Sequence, residues 1–434
     1  MKYDSIVFDL DGTITESGEG ITNSAKYALE QMGLPLPSEE VLRSFVGPPL
    51  YDSFTDSCHL NDAQAKEAIT HYRQRHNAIG WKEACVYTGM FELIKSLKVN
   101  GCHVALASSK PLHLCVKTLE YFGLLPFFDK ICAPDENNSR APKSAFVRSA
   151  LGKDHIRACM VGDRRFDIEG SHDAGVTGIG VLYGYGNYEE LNAAGADVVC
   201  DTVADLRKEL LGDTPKPRGT FITLEGSDGC GKSTQHKLLR EYLEQCGIEL
   251  VSTREPGGCP ISERIRSVLL DVKSMGMTDE CEALLFAAAR KQHINDTIQP
   301  ALVSGKTVLC DRFVDSSIAY QGAGRGLGDW VKQINERAVN GCLPDLTLVF
   351  DLSPEEALKR RYRASEADRI ELSSQDFQNR VYEAFMQMCT NGEKRFYKVD
   401  ASGSIEQIHS LVRQIVMDHL TKSPEANENE QTLL

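Results

Sequence analysis

LEGSDGCGKST, Leu224 to Thr234, is the stretch on which the fold turns. Gly226, Gly231, Lys232 and Ser233 satisfy the pattern GxxxxGK[ST], preceded by the β-branched run TFITLEG and followed by the amphipathic TQHKLLREYLEQ. A strand, a glycine-rich loop and a helix in that order curve backbone N–H groups around phosphate oxygens, and the helix N-terminus adds positive potential. Gly226, Ser227, Asp228, Gly229, Cys230, Gly231, Lys232, Ser233 and Thr234 are therefore the candidate contacts to ATP. Lys232 neutralises phosphate charge and Ser233 can ligate Mg2+. The loop carries no arginine, so another segment must supply the cation that meets a phosphoryl group in transfer.

Such a loop usually opens a domain, yet this one begins more than halfway along a chain of 434 residues. That length exceeds the usual single core, so two domains of roughly 200 residues each are expected. In the first half SIVFDL, HVALASS, KICAP, ACMVGD and GIGVL read as buried parallel strands, with helices such as Met90 to Asn100 between them. The second half repeats the grammar with TFITLEG, ELVSTRE, TVLCDR and LTLVFDL. The expected fold class is α/β, with two doubly wound parallel-sheet domains. The boundaries read as 1–212, a polar Pro/Gly linker at 213–218, 219–420, and a tail at 421–434 that lacks any core pattern.

Composition narrows the function. No apolar run approaches the roughly 20 residues of a membrane span, and MKYDSIVFDLDGT is unlike a secretory signal, so a cytoplasmic protein with no membrane partner is expected. A net charge of -14 argues against a nucleic-acid surface while leaving room for a local basic pocket. The 14 cysteines are scattered singly without CxxC or zinc spacing and read as reduced thiols.

Four further motifs follow the loop in order: TREPGG (Thr253 to Gly258), FAAAR (Phe286 to Arg290), DRFVDSSIAYQG (Asp311 to Gly322) and DRIE (Asp368 to Glu371). With the loop they resemble thymidylate kinase across essentially all of Gly219 to Leu420, which implies a P-loop nucleoside monophosphate kinase fold and phosphorylation of dTMP by ATP. On that resemblance Phe286 stacks on thymine, with Arg290 on the same helical face. Arg254 and Arg312 hold the acceptor phosphate, Arg266, Ser317 and Gln321 read the base edge, Asp228 contacts the sugar, and Asp311 lies near magnesium. The missing cation is sought in LKRRYRASEADRIE, as in relatives that use arginines from a mobile lid: Arg363, or Arg361, with Arg369 in support. Taken singly, Phe286 would more often be core and Arg290 a surface ion pair. Their joint placement reverses both readings.

In IVFDLDGT, Asp9 and Asp11 stand where a buried strand runs out. Two carboxylates two residues apart can collect one magnesium ion and leave an oxygen free to attack phosphorus. Ser108, Lys143, Asp163 and Asp167 follow in VALASSKP, RAPKSAF and VGDRRFD. The ordered set resembles the haloacid dehalogenase superfamily, in its phosphoglycolate phosphatase-like branch, over roughly Lys2 to Leu211. That implies a Rossmann-like core with a helical cap, here about 18–84. It makes Asp9 the nucleophile and Asp11 the acid and then base. Ser108 and Lys143 become the phosphate holders, and the magnesium set is Asp163 with Asp9 and the backbone carbonyl of Asp11, its ligands oriented from behind by Asp167. The expectation is a fusion of dTMP kinase and Mg2+-dependent phosphomonoester hydrolase acting on small molecules, a homodimer through its kinase part. The alternative is a first domain that serves only regulation or docking.

Overall fold

The computed structural model describes residues 1–135, 141–152, 155–361, 369–370 and 373–422. The chain forms two compact units, one built on Met1–Pro215 and the other on Lys216–Glu244 with Glu249–Leu420.

The first unit is organised by a six-stranded sheet. In chain order its strands are β1 (Ser5–Phe8), β4 (His103–Ala107), β5 (Lys130–Cys132), β6 (Ala158–Gly162), β7 (Thr177–Val181) and β8 (Val198–Cys200), arranged as β5-β4-β1-β6-β7-β8. Every pairing is parallel, with Val7 of β1 opposite Ala105 and Met160. All four residues of β1 are buried, because helices cover both faces of a parallel sheet. β1 therefore delivers Asp9 and Asp11 to the carboxyl edge of the sheet, where open α/β folds bind ligands.

Between β2 (Thr15–Glu16) and β3 (Cys85–Val86), which pair as an antiparallel ribbon, stand the helices of the cap. Gly18–Gln31 packs against Asp62–Ala78 around Ile21, Ala25, Leu29, Phe45, Phe54 and Ala65. Asn61 starts the second of these through a capping box with Gln64, which satisfies two otherwise orphaned backbone donors.

The second unit is a five-stranded parallel sheet of order β10-β11-β9-β12-β13, formed by β9 (Phe221–Glu225), β10 (Leu250–Arg254), β11 (Thr307–Asp311), β12 (Leu346–Asp351) and β13 (Phe396–Asp400). β9 is central and wholly buried. β8 and β13 were not foreseen. β8 has three residues, too short to show a period, and β13 is an edge strand with only Val399 buried, so it reads as a polar segment.

Helix Asp279–His293 is fixed at both ends by charge: Thr278 caps it by accepting from Cys281 N, Asp279, Glu280 and Glu282 fill the first turn, and Arg290, Lys291 and His293 fill the last. It packs against helix Pro260–Leu270. After β11 a short helix, Val314–Ser317, continues as wide-pitch turns over Ile318–Gly324, a departure from regular helix often found where side chains must be re-aimed at a site. Among the described residues no helix is long and apolar enough to cross a membrane, and all the cysteines are free thiols. Arg363 and residues 423–434 lie outside the described residues, and the side chain of Arg361 is not described.

Candidate active sites

In the second unit, β9 ends at Glu225 and the chain turns through Gly226, Gly229 and Gly231, at φ of +138°, +85° and +95°. Only glycine takes such angles without cost, which is why the pattern demands it. Lys232 is buried, and its Nζ reaches back across the loop to donate to the carbonyls of Gly226 (2.9 Å) and Ser227 (2.8 Å). Ser233 Oγ donates to Asp311 Oδ2 at 3.2 Å, while Asp311 Oδ1 is buried without a hydrogen-bond partner. A hydroxyl beside an unsatisfied carboxylate oxygen at a phosphate loop is the donor set a magnesium ion takes.

Arg312 follows Asp311 directly and adopts φ +70°, left-handed backbone that a long side chain rarely takes. The turn sends its guanidinium into the loop. Nη1 donates to Gly226 O and Ser316 Oγ, both at 3.0 Å, and Nη2 to Asp228 Oδ1 (2.5 Å) and Tyr320 Oη (3.1 Å). Tyr320 Oη in turn donates to Asp228 Oδ2 at 2.8 Å. Burial alone would raise the Asp228 carboxyl. Arg312 and Lys232 outweigh it and lower it to about 2, so the group is fully ionised at neutral pH. Glu225, behind the loop, is instead raised to about 8, by burial and by the neighbouring charge of Asp315.

A cavity of about 220 Å³ opens beside this cluster, and its wall includes Asp228, Arg254, Arg266, Phe286, Arg290, Arg312, Ser317 and Gln321. All eight residues expected on the acceptor side thus face one space. Arg254 is half-exposed and pairs with Glu263 at 3.0 Å, and Arg266 donates to Pro256 O at 2.8 Å. Arg290 is fully buried, preset by Glu255 (2.8 Å), Ser317 Oγ (3.1 Å), Phe313 O (3.1 Å) and Asn335. Arg369, expected in support of the lid, has its Nε donating to Leu269 O at 2.8 Å and its Nη2 in an ion pair with Glu282 at 2.7 Å, which ties it to the residues behind the cavity wall. Tyr320 and Glu282 were not anticipated. Tyr320 lies within a quoted motif, but no one-dimensional signal marks its contact to Asp228.

In the first unit, Asp9, Asp163 and Asp167 are buried and bring a carboxylate oxygen each within 4.8 Å of one another. Burial and the neighbouring carboxylates push Asp163 up to about 8. Burial also lifts Asp9, to about 6, against the pull of Lys143. Three buried carboxylates brought this close together fit a divalent cation, whose charge would offset theirs. Lys143 Nζ lies 2.7 Å from Asp9 and 2.8 Å from Asp167. Burial opposes its charge, but these two carboxylates raise its pKa. Gly12, at φ +88°, passes so close that a Cβ there would stand 2.2 Å from Asp163 Oδ2. Asp167, expected to orient ligands from behind, offers an oxygen to the group itself, while its Oδ2 accepts from Arg164 N.

The carboxylate of Asp11, whose backbone carbonyl was the group expected at the magnesium, lies outside that cluster and pairs with Lys110 Nζ at 3.0 Å. Burial would raise Asp11, but Lys110 overrides it and lowers the pKa. β1 ends at Phe8 and the chain then turns, with Gly12 at φ +88°, so the shared face that two residues spaced by two have within a strand is lost and Asp9 and Asp11 need not meet one ion. Ser108 is buried beside them, its Oγ accepting from Lys110 N. Lys110 was missed although it stands inside the quoted VALASSKP.

Two parallel α/β units with these two edges define a pair of phosphoryl-transfer enzymes, a P-loop nucleoside monophosphate kinase and a phosphatase-type hydrolase. Residues 224–412 match the family model "Thymidylate kinase", and residues 6–181 the model "Haloacid dehalogenase-like hydrolase". Thymidylate kinase from Symbiobacterium thermophilum is 49% identical over 203 residues, 46% of this chain and 94% of that protein. That from Bacillus pumilus is 43% identical, covering 47% of this chain and 98% of its own. A solved structure, "Crystal structure of a predicted phosphatase from Clostridium acetobutylicum", is 38% identical, covers 49% of this chain and 99% of that one, and superposes with a TM-score of 0.45. The chain belongs to the thymidylate kinase family, joined in one polypeptide to a haloacid dehalogenase-like hydrolase.

Proposed function

We propose that the second unit transfers the terminal phosphoryl group of ATP to dTMP, and that the first hydrolyses a phosphomonoester through Asp9. One observation carries the kinase reading: Arg312 touches the phosphate loop at Gly226 and the acceptor wall at Asp228 and Tyr320. A cation shared by the two walls stands where the transferring group must pass, and charge placed in advance of reaction is the main source of catalysis in phosphoryl transfer. Lys232 and the loop N–H groups bind the ATP phosphates, Phe286 stacks on thymine, and Ser317 and Gln321 meet its edge. In the hydrolase, an oxygen of Asp9 attacks phosphorus and forms an acyl phosphate while the alkoxide leaves with a proton from Asp11. Asp11 then takes a proton from the water that opens the intermediate. Paired with Lys110 it is the ionised base, so the acid step requires this pair to part when substrate enters. Asp9, Asp163 and Asp167 would hold magnesium in one site, and Ser233 with Asp311 in the other. Bound there, the ion supplies charge neutralisation at the phosphoryl oxygens.

Small phosphomonoesters of the phosphoglycolate class or 5'-nucleotides are the proposed hydrolase substrates, and the cytoplasm the proposed compartment. Ile261 and Val268 on one face of helix Pro260–Leu270, and Leu284 on its neighbour, are each about half-exposed, an apolar face suited to a second copy of the chain. The test uses the full chain with magnesium. Asp9→Asn should abolish phosphate release while dTMP phosphorylation persists, and Lys232→Ala should do the reverse. Loss of both activities in either folded variant would refute independent chemistries. No phosphate release by the unaltered protein from any of these compounds would leave the first unit a regulatory module.

A further inference from the structure

Glu282 lies behind the cavity wall against Gln321, with its side chain only 1% exposed. Three donors converge on it. Gln321 Nε2 donates to Oε1 at 2.8 Å, Arg325 donates from Nε to Oε1 at 3.3 Å and from Nη2 to Oε2 at 3.1 Å, and the Arg369 guanidinium stands in an ion pair with Oε2 at 2.7 Å. Burial would raise the group, but Arg325 and the other donors lower its pKa, so it is ionised at neutral pH and can only accept.

An acceptor-only neighbour dictates the orientation of an amide. Gln321 must turn its NH2 toward Glu282, which leaves its carbonyl oxygen as the group it offers to the cavity it lines. A buried acceptor at that position suits a pyrimidine whose ring N3 carries hydrogen, as in thymine and uracil. It repels cytosine, whose N3 presents a lone pair. Leaving two acceptors face to face in a closed site is heavily disfavoured, and polar mismatch of this kind discriminates far more strongly than a difference in shape.

We propose that Glu282 is a positioning residue that locks the Gln321 amide with its oxygen toward the base, and so sets the preference of the site for pyrimidines bearing a ring N–H. This rests on reading the cavity as the dTMP site. The two arginines take part in the device. In Glu282→Gln they retain the new carbonyl oxygen on the Oε2 side, which puts the new NH2 toward Gln321 and forces that amide to flip. The flipped Gln321 then offers a donor to the base.

The full chain is assayed for kcat and KM with dTMP and dCMP at saturating ATP and magnesium. Glu282→Gln should lower the ratio of kcat/KM for dTMP over dCMP at least tenfold, chiefly through the KM for dTMP, with the KM for ATP unchanged. Gln321→Met, which keeps the length and removes the acceptor, should lower the same ratio and keeps the inference testable if the first variant does not fold. Equal losses for both nucleotides in either folded variant would overturn it, since that is what a merely structural role gives. Failure of the unaltered protein to phosphorylate dTMP would instead remove the parent reading, and this inference with it.

Discussion

Arg312→Lys keeps the positive charge beside Asp228 and takes away only the fork. The guanidinium makes four contacts, to Gly226 O, Ser316 Oγ, Asp228 and Tyr320 Oη, all between 2.5 and 3.1 Å. A single ammonium at the end of a flexible stem can hold Asp228 and cannot span to Gly226 O and Ser316 Oγ from the same place. Two hydrogen bonds at about 1 to 1.5 kcal/mol each amount to about 2 to 3 kcal/mol, and because they fix the cation between donor and acceptor the loss should appear in transfer. At about 1.4 kcal/mol per decade this is roughly a 30- to 150-fold fall in kcat/KM for dTMP. Steady-state kinetics with each substrate varied in turn, beside a melting curve, measure it. A change of less than threefold in kcat/KM for dTMP, or an equal rise in the KM for ATP, would refute the placement of Arg312 between the two substrates.

Phe286→Ala removes a stacking surface worth roughly 1 to 3 kcal/mol, and the KM for dTMP should rise about 5- to 150-fold while that for ATP is unchanged. Lys110→Met takes away the partner that holds the Asp11 carboxyl down, so the acidic limb of the phosphatase pH–rate profile should move to higher pH, as read from initial rates across pH 4 to 8. Glu225 is raised in the folded state to about 8, so folding favours its protonated form. The protein should therefore lose stability as pH rises from the ordinary carboxylate range through about 8. Glu225→Gln should flatten that decline in melting temperature across pH 5 to 9, and an unchanged slope would refute the assignment.

Both sheets were legible wherever a strand was buried on both faces, because FITLE and SIVF leave no ambiguity of period. The phosphate loop and the aspartates of β1 were equally plain, since each occupies a fixed offset from a strand end. What one dimension concealed was the choice of partner. Arg369 and Arg312 are both arginines inside recognisable motifs, yet one ends on a buried glutamate and the other on the phosphate loop. Asp9 and Asp11 stand two residues apart and attend to different cations, Lys143 and Lys110. Glu282 opens a helix, where an acidic residue ordinarily answers the helix dipole, and nothing in the sequence announces that Gln321, Arg325 and Arg369, from two segments further along the chain, meet on it.

The consecutive pair at the end of β11 acts as a ruler. Asp311 faces Ser233 at the magnesium side of the loop, and Arg312, turned by its left-handed backbone, faces Asp228 at the acceptor side. On the proposed reading, one peptide unit, about 3.8 Å from Cα to Cα, separates the residues that attend to the giving and receiving phosphates. Spacing held by covalent bonds does not drift when loops breathe, whereas spacing between side chains of different segments does. A residue inserted between Asp311 and Arg312 would displace one station from the other by about 3.3 Å. Since displacement by about 1 Å can cost a hundredfold in rate, such a chain would keep its sheet and its nucleotide loop and lose the register between them.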